Sequence, residues 1–173
     1  MIDTRVKHDL ADGAYAELRA GCERAADLLR LPALRDLSLS GLAEALRRLP
    51  AELWPLVRHV VTENARVEQA VTLLNAGGPA ALGPILAAGH ASLRDDYRVS
   101  CPETDLAATT AEAAGALGAR MTGGGFGGSV IALVPETAVD TARDAVATAF
   151  RHAGHRAPRT FTATASAGAR RLV

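Results

Sequence analysis

Arg120-Met121-Thr122-Gly123-Gly124-Gly125-Phe126-Gly127-Gly128-Ser129, continued without a break by Val130-Ile131-Ala132-Leu133-Val134, carries five glycines in six positions. Glycine has no Cβ, so such a loop can take φ > 0 and bring its backbone close to another group. Its successive N–H groups can form a concave nest for an anion, phosphate above all. The apolar run that follows has the length of a short buried strand and ends at Pro135. Ahead of the loop lie an alanine-rich helix over roughly 105–115 and a short strand over 119–122. Composition alone fits two readings equally: a hairpin where backbones pack closely, and a loop that cradles phosphate.

Pattern matching narrows the second reading. Gly123, Gly125 and Gly128 satisfy G-x-G-x-x-G, but the dinucleotide fingerprint must follow a strand and open a helix. A β-type run follows here, so that reading fails. With Val130 the same residues satisfy the protein-kinase glycine loop, which needs a lysine on a following strand. The only lysine is Lys7, far upstream, which excludes a protein kinase and a Walker-type loop together.

Working outward, residues 2–7 alternate apolar and polar as a half-buried strand would, and Asp12-Gly13 reads as a turn. A helix is expected from Tyr15 to Leu31, closed by Pro32, and a shorter one from Ser38 to Leu49 with Ser40 as N-cap. The strongest helix is Leu53 to Leu74, with Leu53, Val57, Val60, Val67, Val71 and Leu74 forming its stripe and Gly77-Gly78 ending it. Asn64 interrupts that stripe, a position read as fixing the packing register or bonding a carbonyl. Pro79 to His90 gives a second helix broken at Gly83-Pro84, whose Leu82, Ile85 and Leu86 face the long helix in a hairpin. Ser100-Cys101-Pro102-Glu103 reads as a capping box for the next helix. Glu136 to His152 forms another amphipathic helix, and Thr160 to Ala165 a last strand anchored by Phe161.

Three groups invite chemistry and are read as structural. His59 and Glu63 stand at i, i+4 with no third ligand, so an interhelical hydrogen bond is expected rather than a metal. Asp95 and Asp96 are expected in a solvated turn or in salt bridges to Arg94 and Arg98. Cys101 has no His or acid pattern beside it, and two cysteines, Cys22 and Cys101, make no disulfide framework.

The run Asp95-Asp96-Tyr97-Arg98-Val99-Ser100-Cys101-Pro102-Glu103-Thr104-Asp105, then Gly115 to Thr122 and the glycine loop, strongly resembles the galactokinases, sugar 1-kinases of the GHMP superfamily. Asp3 to Leu10, Tyr15, Arg58 to Arg66, His90 to Asp96 and Gly168-Ala169 extend the resemblance along almost the whole chain. It implies an α+β fold like the GHMP-kinase C-terminal domain, spanning 1–173 as one domain. A mainly antiparallel sheet would be covered by helices, as half of a ferredoxin-like unit with a helical hairpin inserted. The implied reaction is ATP- and Mg²⁺-dependent phosphorylation of galactose at C1. Gly123, Gly124, Gly125, Gly127 and Gly128 would line the phosphate side of the cleft, and Tyr15 would hydrogen-bond the sugar. The family's Glu-His-x-Asp motif, Ser-rich ATP loop and catalytic aspartate have no counterpart here. The chain is therefore expected to be a C-terminal half, inactive alone, completed by a separately encoded N-terminal half or associating with itself. A non-catalytic sugar-sensing or interaction module and a non-functional gene fragment are the alternatives.

With 173 residues the chain can bury about two-thirds of its unfolded surface. The 19 basic and 19 acidic side chains cancel, so neither nucleic acid nor an anionic membrane is an expected partner. No apolar run reaches membrane-spanning length, and Met1-Ile2-Asp3 does not open a signal peptide, so a cytoplasmic location is expected.

Overall fold

A computed structural model describes residues 1–7, 13–164 and 166–168. The elements are β1 (Ile2–Asp3), α1 (Ala14–Leu29), α2 (Leu42–Arg47), α3 (Trp54–Asn75), α4 (Gly83–Asp95), α5 (Pro102–Ala113), β2 (Gly118–Thr122), β3 (Ser129–Leu133), α6 (Val139–His152) and β4 (Arg159–Thr160). The strands form one antiparallel sheet in the order β2-β3-β1-β4. Counting β1, α5, β2, β3, α6 and β4, this is a whole β-α-β-β-α-β ferredoxin-like unit, not half of one. The helices α1 to α4 are inserted between β1 and α5. The α+β reading stands, and the strand at the N-terminus completes it.

Two cores follow from this layout. Ile2, Met121 and Val130 from the sheet meet Val146 and Phe150 of α6 and the alanines of α5. Ala107, Ala108 and Ala111 are almost wholly buried, and their small size lets α5 lie close on β2 and β3. The second core is helical: Ala25, Ala26 and Leu29 of α1 pack on Leu34, Leu49, Leu53, Val57 and Val61. Only the first half of the α3 stripe is inside. Val67, Val71 and Leu74 are each more than half exposed, against the expectation of a continuous buried stripe.

Several boundaries move for local reasons. The first strand covers only Ile2–Asp3, because Arg5 turns left-handed (φ 62°) with its N–H on Asp3 Oδ1 at 2.8 Å. Gly128 spans the kink: its carbonyl accepts from Thr4 N–H before it, and its N–H donates to Val6 O beyond it. Ser38, not Ser40, caps the short helical segment, its Oγ accepting from Gly41 N–H at 3.2 Å. Gly83-Pro84 opens α4 rather than breaking a helix, since proline suits a first turn. The box before α5 is shifted by one residue: Cys101 is the N-cap, and its N–H donates to Thr104 Oγ1 at 3.0 Å. Glu103 instead meets His155 at 3.4 Å. The last strand is Arg159–Thr160; Phe161 is more than half exposed and no anchor, although its backbone still pairs with Met1. Leu10, Asp12, Ala165 and Ala169, named above, lie outside the described residues.

Candidate functional site

The glycine loop turns on five positive φ angles: 94° at Gly123, 92° at Gly125, 60° at Phe126, 139° at Gly127 and 86° at Gly128. Two of its glycines are needed by the fold. A Cβ on Gly125 would sit 2.5 Å from Val99 Cβ and 2.7 Å from Val99 O, and one on Gly127 would sit 2.8 Å from Val6 Cγ1. Phe126 N–H donates to Val99 O at 2.5 Å, fastening the loop to the segment before α5. Gly123 and Gly124 differ. Both are exposed, and a Cβ on either would meet nothing within 4 Å. The N–H groups of Gly123, Gly124 and Gly125 have no acceptor among the described residues. So the loop divides into a buried seat and an open lip, and the lip carries the free N–H groups an anion needs.

Strain gathers at the same place. Of the four non-glycine residues with positive φ among the described residues, Phe126 is in the loop. Arg5 directly precedes Val6, and Arg98 directly precedes Val99. Left-handed non-glycine residues cost energy and persist where the surroundings over-determine them, commonly at functional sites. Two arginines thus stand beside the loop's two seats, while Lys7 follows Val6 and is exposed.

Tyr15 is more than half exposed and lines a groove of about 680 Å³ between α1 and α3. Asn64 and Tyr97 also line this groove, and none of the loop glycines does. The structure therefore places Tyr15 and the glycines at two separate stations. They are joined by Tyr97-Arg98-Val99, which runs from the groove to the loop's seat.

Tyr97 is held from behind. Its ring stacks on His59 with centroids 4.4 Å apart, and His59 Nδ1 lies 2.9 Å from Ser92 Oγ. Ser92 Oγ donates to Asp96 Oδ2, and Asp96 accepts two hydrogen bonds from Arg58. With the Ser92 proton given to Asp96, His59 must donate through Nδ1. Burial pushes His59 below the ordinary histidine value. Burial first, and then the neighbouring Cys22, pushes the Tyr97 hydroxyl up to about 12, so it stays protonated. The expected interhelical bond of His59 is present. Asp96 pairs with Arg58 rather than Arg98, and Asp95 pairs with Arg94 as expected.

Glu63 takes a different partner from His59. It bridges Arg120 of β2 at 2.5 Å and Arg66 at 2.7 Å. Burial alone would raise its pKa, but the two guanidinium groups outweigh that and hold it below the usual carboxylate range. Gly89 leaves the space through which Arg120 reaches it. Among the described residues no cluster of three His, Cys, Asp or Glu could hold a metal ion, and no helix is long and apolar enough to cross a membrane.

Val6, Val99 and Tyr97 were not legible as site residues, because they act through close packing that no short motif encodes. Asn64 was visible as a break in the stripe, and only the groove gives that break a direction.

Comparison with known proteins agrees with this architecture. Residues 70–152 match the family described as GHMP kinases C terminal. A galactokinase of Streptomyces coelicolor is 58% identical over 100% of this chain and 45% of its own length. One of Streptomyces lividans is 53% identical, over 98% of this chain and 43% of its own length. The crystal structure of Lactococcus lactis galactokinase complexed with galactose superimposes with a TM-score of 0.86 at 34% identity, covering 91% of this chain and 42% of that one. The chain thus spans less than half the length of these relatives.

Proposed function

We propose a role in ATP-dependent phosphorylation of galactose at its C1 hydroxyl, for a chain whose residues 70–152 match the family GHMP kinases C terminal and which is similar along its length to part of the galactokinases. The observation that carries this reading is the split glycine loop: Gly125 and Gly127 are seated on Val99 and Val6, and Gly123 and Gly124 are left open. The residues present fit a nucleotide's phosphates at that lip, with exposed N–H groups and Arg5, Lys7 and Arg98 on the adjoining segments. ATP would supply the transferred phosphoryl group, and Mg²⁺ would travel with its phosphates. This chain's part is positioning and charge stabilisation, which make up most of phosphoryl-transfer catalysis. Tyr15 holds the sugar from the α1 side. Acid–base work falls to a companion polypeptide segment of the kind found in the rest of the relatives.

The experiment measures galactose 1-phosphate formed from ATP and galactose by the chain alone and with the remaining part of the Streptomyces coelicolor relative supplied. Product is expected only from the mixture. Product from neither arm, with both polypeptides folded, counts against the reading. Product from the chain alone would place the catalytic base within it.

A further inference from the structure

The sheet has an open slot in line with β1. Ala119 and Met121 of β2 give their N–H groups to Glu112 and His90 rather than to β3. Their partners in the register, Ala132 and Val130, therefore turn their own backbone N–H and C=O toward the β1 side. Ile2 meets Val130 there, and no backbone among the described residues meets Ala132. On the far side of β1, Met1 and Phe161 exchange backbone bonds of 3.0 and 3.1 Å. Ala163, two residues on, borders the same space and has no backbone partner among the described residues. The two flanks thus run on past the strand between them.

The slot has a volume of about 210 Å³. Neighbouring strands lie about 4.8 Å apart, so two that flank a third stand about 10 Å apart, room for one extended backbone. The floor is small and apolar: Ala111 of α5 with Val139 and Ala142 of α6. Side chains alternate along a strand, and Ile2 is buried on the helix side. A residue placed in line before Met1 would therefore direct its side chain at that floor. On the opposite face Ile131 and Phe161, one on each flank, are 37% and 54% exposed. The Met1 ammonium stands at the head of the slot; it gives one proton to Phe161 O and has two more to give. Open backbone groups on both flanks, the width of one strand and an apolar floor suit an extended peptide. The ammonium suits that peptide's terminal carboxylate.

We propose that this slot docks one extended polypeptide strand contributed by the companion segment that carries the acid–base groups. The strand lies in line with β1 and antiparallel to β3 and β4, its last side chain on the floor and its carboxylate at Met1. The inference rests on the phosphoryl-transfer reading only for the source of the strand. Main-chain hydrogen bonds supply the affinity of such an added strand, and alternate side chains set its register. Docking here also has a positional consequence. From the slot, β1 leads through Thr4 to Val6, on which Gly127 is seated. At about 3.3 Å per residue the strand's end lies within about 20 Å of that seat, so the companion is held at a fixed distance from the glycine lip.

The test uses the full chain and two peptides of one composition, acetyl-Thr-Val-Thr-Val-Thr-Leu and acetyl-Val-Thr-Val-Thr-Leu-Thr. Only the first puts its aliphatic side chains on the floor when its carboxylate is at Met1. Binding is followed by amide NMR shifts and hydrogen exchange. The first peptide is expected to shift Ala132 and Ala163, to slow exchange at the Ala132 N–H, and to bind at least about tenfold more tightly than the second. Ala142→Leu fills the floor, so it should melt no lower than the parent and bind the first peptide at least about tenfold more weakly. Ala163→Pro removes one N–H donor and should weaken binding about three- to tenfold. It decides the matter should leucine disturb the fold. The proposal is overturned if neither peptide binds at millimolar concentration, if the two bind alike, if the shifts lie away from the slot, or if both variants bind like the parent. It is also overturned if the Ala132 amide becomes protected as the chain alone is concentrated, which would make a second copy the occupant. Neither nucleotide nor sugar enters this test, so its failure leaves phosphoryl transfer to its own assay, and a silent assay leaves these binding data intact.

Discussion

The backbone N–H of Met121 donates to Nδ1 of His90 across 3.2 Å. Met121 lies in β2, an outer strand of the sheet, and outer strands expose unpaired N–H groups that invite pairing with other chains. Here two of them, alternate along the strand, are taken by side chains: Met121 by His90, and Ala119 by Glu112 Oε1 at 2.9 Å. The start of α4 closes the same edge. A Cβ on either Gly83 or Gly118 would lie 2.0 Å from the other residue's neighbourhood, Leu117 O in one case and Gly83 O in the other. At the other strand, β1, Ile2 and Asp3 are paired on both sides, by β3 and by β4.

His90 makes this edge sensitive to pH. Because Nδ1 accepts from Met121, the ring proton sits on Nε2, facing Asp105 Oδ1 at 3.1 Å. Burial pushes His90 below the ordinary histidine value, and Asp105 pulls the other way without overcoming it. The unfolded chain then binds more protons than the folded one in this window, so stability rises with pH. The contribution is whole above about pH 6.5 and is lost as pH falls below it. Thermal melts between pH 5 and 8 should show this loss. His90→Ala should flatten part of it, leave a share to the similarly lowered His59, and cost about 2–3 kcal/mol at neutral pH. An unchanged pH profile in His90→Ala would refute the assignment.

Gly118→Ala should be among the most damaging small substitutions in the chain. The added methyl would meet backbone atoms of Gly83 at 2.0–2.6 Å, which no rotamer can avoid. The helix must lift from the strand, with loss of more than about 3 kcal/mol. Denaturant titration gives the number. A loss under about 1 kcal/mol would show that α4 does not close on β2 in this way.

The sequence shows elements through their periodicity and misses what depends on distant partners. The glycine loop, β3 and α6 are strong local patterns and lie where expected. The cap of α5 was displaced because Thr104, not Glu103, turns back to the Cys101 N–H, a competition between two good capping residues one position apart. The outer half of the α3 stripe looked like core because periodicity reports an apolar face without reporting whether anything covers it. The groove was invisible because Tyr15, Asn64 and Tyr97 are far apart in the chain and share no motif.

That uncovered stripe has a consequence for solution behaviour. Val67, Val71 and Leu74 lie one helical turn apart on an exposed face. Replacing Val67 and Val71 by Glu should change stability by no more than about 0.5 kcal/mol each, as exposed helix positions do. It should also lower any concentration-dependent association seen by light scattering, since a contiguous apolar face favours contact between copies. A large drop in melting temperature would mean that the face is packed after all.

The division of the glycine loop yields the sharpest test of its role. Gly125→Val would ordinarily be chosen to probe a phosphate cradle, but here even Gly125→Ala collides with Val99 and sits at φ 92°, so its expected effect is a folding loss of more than about 3 kcal/mol. Any drop in activity from it says nothing about the cradle. Gly124 is the informative position, because its φ is not left-handed and a methyl there meets nothing within 4 Å. Gly124→Ala should fold within about 0.5 kcal/mol of the parent, helped by the lower entropy of its unfolded chain. If the lip binds phosphate, that methyl intrudes on the ligand and not on the protein. Turnover per folded molecule, measured in the reconstituted assay, should then fall by at least about tenfold. Turnover near the parent value, with an unchanged melting temperature, would leave Gly123 to Gly128 as a structural hairpin alone.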